Sequence, residues 1–385
     1  MAQPIKIMLI SGESSGDAHA AYVVRALKKQ NPAVDCFGIG GPKMQAEGCR
    51  LILDSKSIAV MGVFEVIKHF RAIKQAWNLA VNALEQERPD CVILVDYPGF
   101  NLRFAEKVKA LGIKILYYVS PQIWAWKKGR IHKIKRLVDH MAVILPFEEH
   151  IYQNAGVPVT FVGSPLLEQI TLYKKKQVRD ELQLSEQDYV VGLMPGSREA
   201  EIAKLMPVLA STAEILKRRY THLRFVVPLA DNIDESEVKA YFAEYELPVT
   251  FVKHVSHKVM AMADLLIGSS GTATLEAAIF GTPMVVIYKM NALTFAIAKH
   301  VVKVPFISLP NILAQKRIYP ELIQEQANPA AIANTAAELI ENPEKVQQMK
   351  IDLKKTVQLL GKKGAGQKVA EIALSLCDNK GVRGE

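Results

Sequence analysis

The chain has 385 residues, of which 50% are hydrophobic and 23% are charged, so it can form the cores of two ordinary soluble domains. Its formal net charge of +9 predicts an anionic partner, such as nucleic acid, a membrane surface or a phosphorylated substrate. The four cysteines form no CxxC pair, which is typical of buried thiols in a reducing compartment rather than of a disulfide scaffold. We find neither a signal peptide nor a run of about 18 uncharged apolar residues, and therefore expect a cytoplasmic protein without spanning helices.

Strands and helices alternate in the first half of the chain. Strands are predicted for "IKIMLI", "DCFGIG", "DCVILVDY", "IKILYYVSP" and "HMAVILP", and helices for "AHAAYVVRALKKQ" and "LRFAEKVKALG". The nearly continuous apolar run in "DCVILVDY" is typical of a strand that is buried on both faces of a parallel sheet. The first half is therefore predicted to be an α/β domain.

The alternation begins again after "FVGSPLLEQI". Strands are predicted for "DYVVGLM", "LRFVVPLA", "ADLLIGS" and "PMVVIY", and helices for "EIAKLMPVLASTAEILKRR" and "TLEAAIFG". We therefore predict two α/β domains, residues 1–165 and 166–344, followed by a charged helical segment, residues 345–385.

Two turns of the second domain are predicted to lie at the carboxyl ends of its strands, where open parallel sheets bind ligands. In "PGSRE", Gly196 allows close approach of a ligand, Ser197 can cap the next helix, and Arg198 can form a bidentate contact with a diphosphate. A capped helix with a surface arginine is the alternative interpretation.

The second turn, "GSSGTATLE", also joins a strand to a helix. Ser270, Gly271 and Thr272 can form an anion-binding turn, and Glu276 can accept both hydroxyls of a ribose. Alternatively, Glu276 only complements the helix dipole. The two turns together favour a nucleotide site.

The sequence offers no dinucleotide fingerprint and no metal-ligand constellation. His254 and His257 have no acidic partner at a useful spacing, and we interpret them as surface residues. No metal and no cofactor is therefore expected.

The first domain carries different side chains at its predicted turns. Asp96 ends a buried strand and can act as a general base, although it could instead cap the turn. In residues 117–136, "YYVSPQIWAWKKGRIHKIKR", tryptophans precede a basic run. Such a segment can stack on bases, seat a sugar, lie at a lipid interface, or be a solvated helix face.

The segment 59–77, "AVMGVFEVIKHFRAIKQAW", has the pattern of a basic amphipathic helix. Its apolar arc consists of Val63, Val66, Ile67, Phe70, Ile73 and Trp77. Lys68, Arg71 and Lys74 flank that arc. We predict an exposed stripe that contacts acyl chains and the bilayer; the alternative is a stripe that docks on the sheet.

An ordered set of motifs gives a more specific indication. The motifs are "GESSGD" (12–17), "GIGG" (38–41), "VMGVFEV" (60–66), "DYPGFN" (96–101), "YYVSPQIWAW" (117–126), "LPFE" (145–148), "MPGSREAEI" (194–202), "SSGTATLEAA" (269–278), "PMVVIYKM" (283–290), and "SLPNILA" with "PELIQ" (308–324). Together they resemble the lipid-A-disaccharide synthase family of bacterial glycosyltransferases. One departure is Ser164 in "GSPL", where the family usually has histidine.

The resemblance implies a GT-B fold, in which two Rossmann-like domains with parallel sheets face each other across a cleft. It implies an inverting, metal-independent transfer of 2,3-diacylglucosamine from its UDP conjugate to 2,3-diacylglucosamine 1-phosphate. The products would be the β-1′,6-linked lipid A disaccharide precursor and UDP. It further implies a peripheral protein on the cytoplasmic face of the inner membrane. The C-terminal segment 345–385 would pack back on the N-terminal domain or be exchanged between the subunits of a homodimer.

The resemblance also assigns roles to residues. Asp96 would be the catalytic base. The UDP-sugar side would comprise Gly196, Ser197, Arg198, Ser270, Gly271, Thr272, Glu276, Asn311, Glu321 and Gln324. The acceptor side would comprise Glu13, Ser14, Ser15, Asp17, Asn101 and Gln122. Competing interpretations are another GT-B activity, such as UDP-sugar epimerisation or peptidoglycan-precursor transfer, and a nucleic-acid binder built on residues 127–136.

Overall fold

The chain forms two compact units, seen here in a computed structural model. The structure describes residues 4–57, 70–230, 233–291, 295 and 304–378. One unit runs to Glu168 and takes in the segment that begins at Leu360, whereas the other unit is Gln169–Leu359. The predicted segment 345–385 is thus divided between the two units.

The first unit is built on a seven-stranded parallel sheet with the order β3-β2-β1-β4-β5-β6-β7. Its strands are β1 (Lys6–Ser11), β2 (Asp35–Gly40), β3 (Arg50–Asp54), β4 (Cys91–Val95), β5 (Lys114–Tyr118), β6 (His140–Val143) and β7 (Val159–Phe161). Its helices in the described residues are α1 (Ser14–Gln30), α2 (Pro42–Ala46), α3 (Phe70–Glu87), α4 (Pro98–Ala110), α5 (Arg130–Leu137), α6 (Pro146–Asn154), α7 (Leu166–Gln169, ending one residue beyond the unit boundary) and α16 (Ala365–Asp378).

Both faces of this sheet are buried, because successive side chains of a strand point to opposite faces. Ile7 and Leu9 of β1 pack with α1 and α16 on one face. Met8 and Ile10 pack with α3, α4 and α5 on the other face. This two-sided burial explains the continuous apolar runs in the sequence.

Helix α16 packs closely on α1. A Cβ added at Gly366 would lie 2.8–2.9 Å from atoms of Tyr22, including its backbone, so a glycine is required at this crossing. The apolar residues Val369, Ala370 and Ala373 complete the core on that face. The end of the described chain is therefore an integral part of the first unit.

The second unit is built on a six-stranded parallel sheet with the order β10-β9-β8-β11-β12-β13. Its strands are β8 (Tyr189–Met194), β9 (Leu223–Leu229), β10 (Val249–Lys253), β11 (Leu265–Ser269), β12 (Met284–Tyr288) and β13 (Glu321–Ile323). Its described helices are α8 (Lys175–Glu181), α9 (Glu199–Arg219), α10 (Glu235–Ala240), α11 (Ser256–Met262), α12 (Thr272–Phe280), α13 (Leu309–Ala314), α14 (Pro329–Ile340) and α15 (Pro343–Gln358).

Most of the predicted amphipathic segment lies outside the described residues, including Val63, Val66 and Ile67. The described part of helix α3 is Phe70–Glu87, and its residues Ile73 and Trp77 pack partly buried against the core of the first unit. The Trp77 ring lies 5.5 Å from the ring of Phe100 and 6.0 Å from that of Phe104. The described end of the stripe therefore docks on the sheet, and contact of the remainder with a bilayer stays a prediction. None of the described helices has the length and apolar composition to span a membrane.

Candidate active site

The turns after β1 and β4 leave the first sheet side by side, because Ser11 pairs with Val95. The first turn begins at Gly12 and the second at Asp96. A Cβ at Gly12 would collide with the ring of Tyr97, so glycine is needed for the two turns to meet. The fold thus joins the motif "GESSGD" to the motif "DYPGFN".

Asp96 has an unusual backbone conformation that its neighbours stabilise. Asp96 and Tyr97 have φ values of 47° and 46°, in the left-handed region that non-glycine residues rarely adopt. Such residues cost about 1–3 kcal/mol each unless the surroundings hold them. Tyr117 Oη donates to the Asp96 carbonyl at 2.6 Å, and Asn101 Nδ2 donates to the same oxygen at 2.7 Å.

Asn101 was predicted to bind the acceptor sugar, but it is fully buried. Its amide also donates to the Val95 carbonyl at 3.2 Å. In this position it holds the turn that carries Asp96 rather than presenting itself to a ligand. Tyr117, for which the sequence predicted no role, also stabilises this turn.

The Asp96 carboxyl has the electrostatics of a general base. Burial raises its pKa to about 6, and the negative charge of Glu13 acts in the same direction. A base with a pKa just below neutral pH is mostly ionised and still accepts a proton readily. Glu13 is the N-cap residue of α1, and Ser14 and Ser15 lie exposed in the first turn of that helix.

Asp17 was also predicted to contact the sugar, but its side chain is buried. Its carboxylate accepts the backbone N–H groups of Gly41, Lys43 and Met44 at 2.8, 3.1 and 3.0 Å. It therefore caps the start of α2 and fixes the turn after β2. This geometry favours a structural role for Asp17.

The loop after β5 is fixed by a buried acid. Trp124 Nε1 donates to Glu148 at 3.1 Å, and burial raises the pKa of Glu148 to about 7. Glu148 is 2% exposed and was not selected from the sequence, although it ends the motif "LPFE". Gln122 lies exposed in this loop, and its carbonyl accepts from Ala125 and Trp126.

The two predicted anion-binding turns of the second unit line one cavity of about 730 Å³. Its lining includes Gly196, Ser197, Arg198, Glu201, Ser270, Gly271, Thr272 and Glu276. Gly196 has a φ of 105°, and a Cβ there would collide with the Glu201 carboxylate. Arg198 is half exposed at the N-cap of α9, and its Nη1 lies 2.7 Å from Glu201 Oε1. Glu201 thus orients the arginine at the cavity.

The second turn leads into α12, with Gly271 as the N-cap residue. Ser270 Oγ donates to the Ile307 carbonyl at 2.9 Å. Gly271 and Thr272, the next two residues, line the cavity. Glu276 lies one helical turn further and 3.5 Å from His257 Nε2. The expectation that His257 has no acidic partner is therefore wrong, because α11 and α12 pack together in space, whereas its 31% exposed side chain agrees with a surface position.

Asn311 and Glu321 are buried in one hydrogen-bond network. The Glu321 carboxylate accepts from Ser308 N at 2.9 Å and from Asn311 Nδ2 at 2.8 Å. Gln324 bonds the backbone of Met290 at 2.8 and 3.1 Å. The three side chains hold the backbone near β13, and their contact with a donor stays a prediction.

Comparison with known proteins gives a match over almost the whole chain. Residues 7–375 match the family described as lipid-A-disaccharide synthetase. The lipid-A-disaccharide synthase of Trichlorobacter lovleyi is 43% identical over 379 residues, covering 98% of this chain and 99% of the relative. That of Nitrosococcus oceani is 41% identical over 377 residues, covering 98% and 97%.

Solved structures agree on the fold. A UDP-GlcNAc 2-epimerase from Neisseria meningitidis bound to UDP-GlcNAc has a TM-score of 0.65 and 14% identity, covering 96% of this chain and 100% of its own. The calicheamicin glycosyltransferase CalG4 has a TM-score of 0.60 and 14% identity, covering 97% and 99%. The two parallel sheets are therefore those of the GT-B fold, as the sequence predicted.

Proposed function

Because the chain belongs to the lipid-A-disaccharide synthase family of glycosyltransferases, we propose that it joins two acylated glucosamines. The donor is UDP-2,3-diacylglucosamine and the acceptor is 2,3-diacylglucosamine 1-phosphate. The products are the β-1′,6-linked disaccharide and UDP. The observation that carries this proposal is the family match over residues 7–375. At the site, Asp96 at the carboxyl edge of the first sheet, with a pKa raised by burial, supplies a suitable base.

The reaction is a displacement at the anomeric carbon of the donor. The acceptor 6-hydroxyl forms the new C–O bond, and its proton passes to the Asp96 carboxylate. The bond between the anomeric carbon and the diphosphate oxygen breaks, and UDP leaves with the electron pair. Attack from the face opposite the leaving group inverts the anomeric configuration.

We assign stabilisation of the leaving group to the second unit. Arg198, held by Glu201 through Nη1, contributes its remaining guanidinium N–H donors, and the N-termini of α9 and α12 contribute backbone N–H groups. Glu276, held beside His257, takes the ribose hydroxyls. With these groups in place, the reaction requires neither a metal nor a cofactor.

The lipid substrates and the net charge of +9 support a peripheral location on an anionic membrane surface. We place the protein on the cytoplasmic face of the inner membrane. We also propose a homodimer in which α16 of one copy occupies the position on α1 that it takes here within its own chain.

The test is UDP release by the purified full-length protein. We expect release only when donor and acceptor are both present, together with a disaccharide product, and an unchanged rate after addition of EDTA. Conversion of the donor sugar without acceptor would indicate an epimerase, and strong inhibition by EDTA would indicate a metal site. No release with both lipids would overturn the proposed function.

A further inference from the structure

The loop between β5 and α5 presents an exposed aromatic ring surrounded by cations. Trp126 is 41% exposed. Lys127 Nζ lies 4.4 Å from the ring centroid, and the guanidinium carbon of Arg130 lies 5.4 Å from it. These contacts hold both cations in place without neutralising them, because the ring carries no net charge. We call Trp126, Lys127 and Arg130 the tryptophan–cation cluster.

The charge of this cluster is not balanced by acids. In the part of the chain that the structure describes, no carboxylate lies within ion-pair distance of Lys127 or Arg130. By contrast, two cations further along α5 are paired: Lys133 Nζ lies 2.9 Å and Arg136 Nη2 lies 3.9 Å from Glu106 Oε1. Cations held in place without acids are suited to an external anion.

The cluster belongs to the same sheet edge as Asp96. Val95 pairs with Tyr118, so the turn of Asp96 and the loop of Trp126 leave the sheet from neighbouring strands. Helix α4, which follows Asp96, packs against α5, which begins at Arg130.

Tyr117 gives an electrostatic link between the two. Its hydroxyl donates to the Asp96 carbonyl at 2.6 Å. Burial and then the charge of Asp96 raise its pKa, whereas the charge of Arg130 acts in the opposite direction. The influence of Arg130 on the pKa of Tyr117 is smaller than that of burial and of Asp96.

We propose that the tryptophan–cation cluster is the binding site for the phosphate monoester of the acceptor. This inference rests on the proposed function and adds a recognition site to it. Arg130 can donate two hydrogen bonds to the phosphate oxygens, and Lys127 adds a second charge. The exposed face of Trp126 can pack against the apolar face of the sugar ring.

The charges along this edge would also orient the acceptor. The carboxylates of Glu13 and Asp96 repel a phosphate, whereas the cluster attracts it. An acceptor bound by its phosphate at the cluster therefore directs its neutral hydroxyl end towards Asp96. This arrangement distinguishes the two ends of the sugar before the donor reacts.

The test compares two acceptors in the full-length protein: diacylglucosamine with and without the 1-phosphate, both dispersed in neutral detergent. The variant is Lys127→Gln with Arg130→Gln, and the matched control is Lys133→Gln with Arg136→Gln. For the phosphorylated acceptor, we expect kcat/KM of the variant to fall about 10- to 100-fold, as for lost charge-assisted hydrogen bonds. For the unphosphorylated acceptor, the variant and the wild type should be alike, and the control should resemble the wild type with both acceptors.

Three results would overturn the proposal, and a fourth would instead contradict the proposed function. An equal loss with both acceptors in a folded variant would mean that the cluster only supports the loop. Unchanged kinetics with weaker sedimentation on phosphatidylglycerol vesicles would assign the cluster to phospholipid headgroups. A Lys127→Arg variant, which keeps the charge, that loses as much kcat/KM as Lys127→Gln with the phosphorylated acceptor would exclude a role for charge at this position. Absence of UDP release from the wild type with either acceptor would instead be a failure of the proposed function.

Discussion

The two sheets have the same order of connections but different turn residues at their carboxyl edges. In both units the chain starts near the middle of the sheet, proceeds to one edge and then returns to the other side. The turn after the first strand carries Glu13 in one unit and Arg198 in the other. The turn after the fourth strand carries Asp96 in one unit and Gly271 in the other. The fold therefore determines where a ligand binds, and the turn residues determine its charge.

The difference extends to the backbone. Asp96 and Tyr97 adopt left-handed conformations although neither is a glycine. Asn101 and Tyr117 stabilise this turn by donating hydrogen bonds to the Asp96 carbonyl. In the second unit, Gly196 adopts its positive φ without steric cost, and the glycines Gly196 and Gly271 line the cavity, where backbone can approach an anion closely. One edge thus positions a side chain, whereas the other presents its backbone.

Asp96→Asn gives the largest expected effect and tests the separation of the two edges. We expect turnover to fall by about 100-fold or more, because the general base is lost. UDP affinity, which we assign to the second unit in the proposed function, should stay normal. Asp54→Asn, at the end of the edge strand β3, is the control and should behave like the wild type. Nearly full single-turnover activity of Asp96→Asn would exclude Asp96 as the base.

Arg198→Ala tests the opposite edge. Loss of charge-assisted hydrogen bonds to a diphosphate should weaken UDP binding by about 10-fold or more in isothermal titration. Arg218→Ala is the matched control, because Arg218 lies exposed on the same helix and pairs only with Glu214 in the described residues. If Arg198→Ala and the wild type bind UDP equally, Arg198 belongs to the protein surface.

The pH dependence of turnover in the wild-type protein should report on Asp96 at the edge of the first sheet. The pKa of Asp96 is raised to about 6, so its basic form predominates above that pH and is lost below it. The turnover number should therefore decrease by about tenfold per pH unit below about pH 6. In the Asp96→Asn variant the residual rate should lose this limb. A wild-type rate that stays constant from pH 7 to pH 5 would contradict the assignment.

Tyr117→Phe has the smallest expected effect and tests the support beneath Asp96. Removal of the hydroxyl eliminates one hydrogen bond to the Asp96 carbonyl, worth about 1 kcal/mol, so turnover should fall by roughly fivefold. Tyr319→Phe removes a similar buried bond, to the Thr282 carbonyl at 3.0 Å, from the second unit. Both variants should lower the melting temperature, but only Tyr117→Phe should lower turnover in the folded protein. Equal turnover in the two would leave Tyr117 with a purely structural role.

The sequence predicted the fold well where local patterns determine it. The run "DCVILVDY" is a central strand buried on both faces, and the turns at Gly196 and Gly271 lie at the predicted helix starts. The proximity of Glu13 to Asp96 follows from the order of the strands, which parallel pairing fixes but no local pattern reveals. For the same reason, the pairing of His257 with Glu276 was missed.

Burial was the other property that the sequence did not reveal. Asp17, Asn101 and Glu321 are polar residues of motifs that the sequence predicted to contact ligands, and such a prediction implies exposure. In the structure their polar atoms bond backbone groups of their own unit. A polar residue that fixes a turn and one that contacts a ligand have the same sequence signature, and only the three-dimensional partners distinguish them.

The close crossing of α16 with α1 has a consequence for synthesis on the ribosome. The first unit is discontinuous in sequence, since Gly366 and the residues after it complete the apolar face of α1. A domain usually folds as soon as its chain has emerged. Here the first unit emerges first but is completed last, so the apolar face of α1 stays uncovered until α16 has been synthesised. The second unit, Gln169–Leu359, can therefore fold first, and folding of the first unit is completed last.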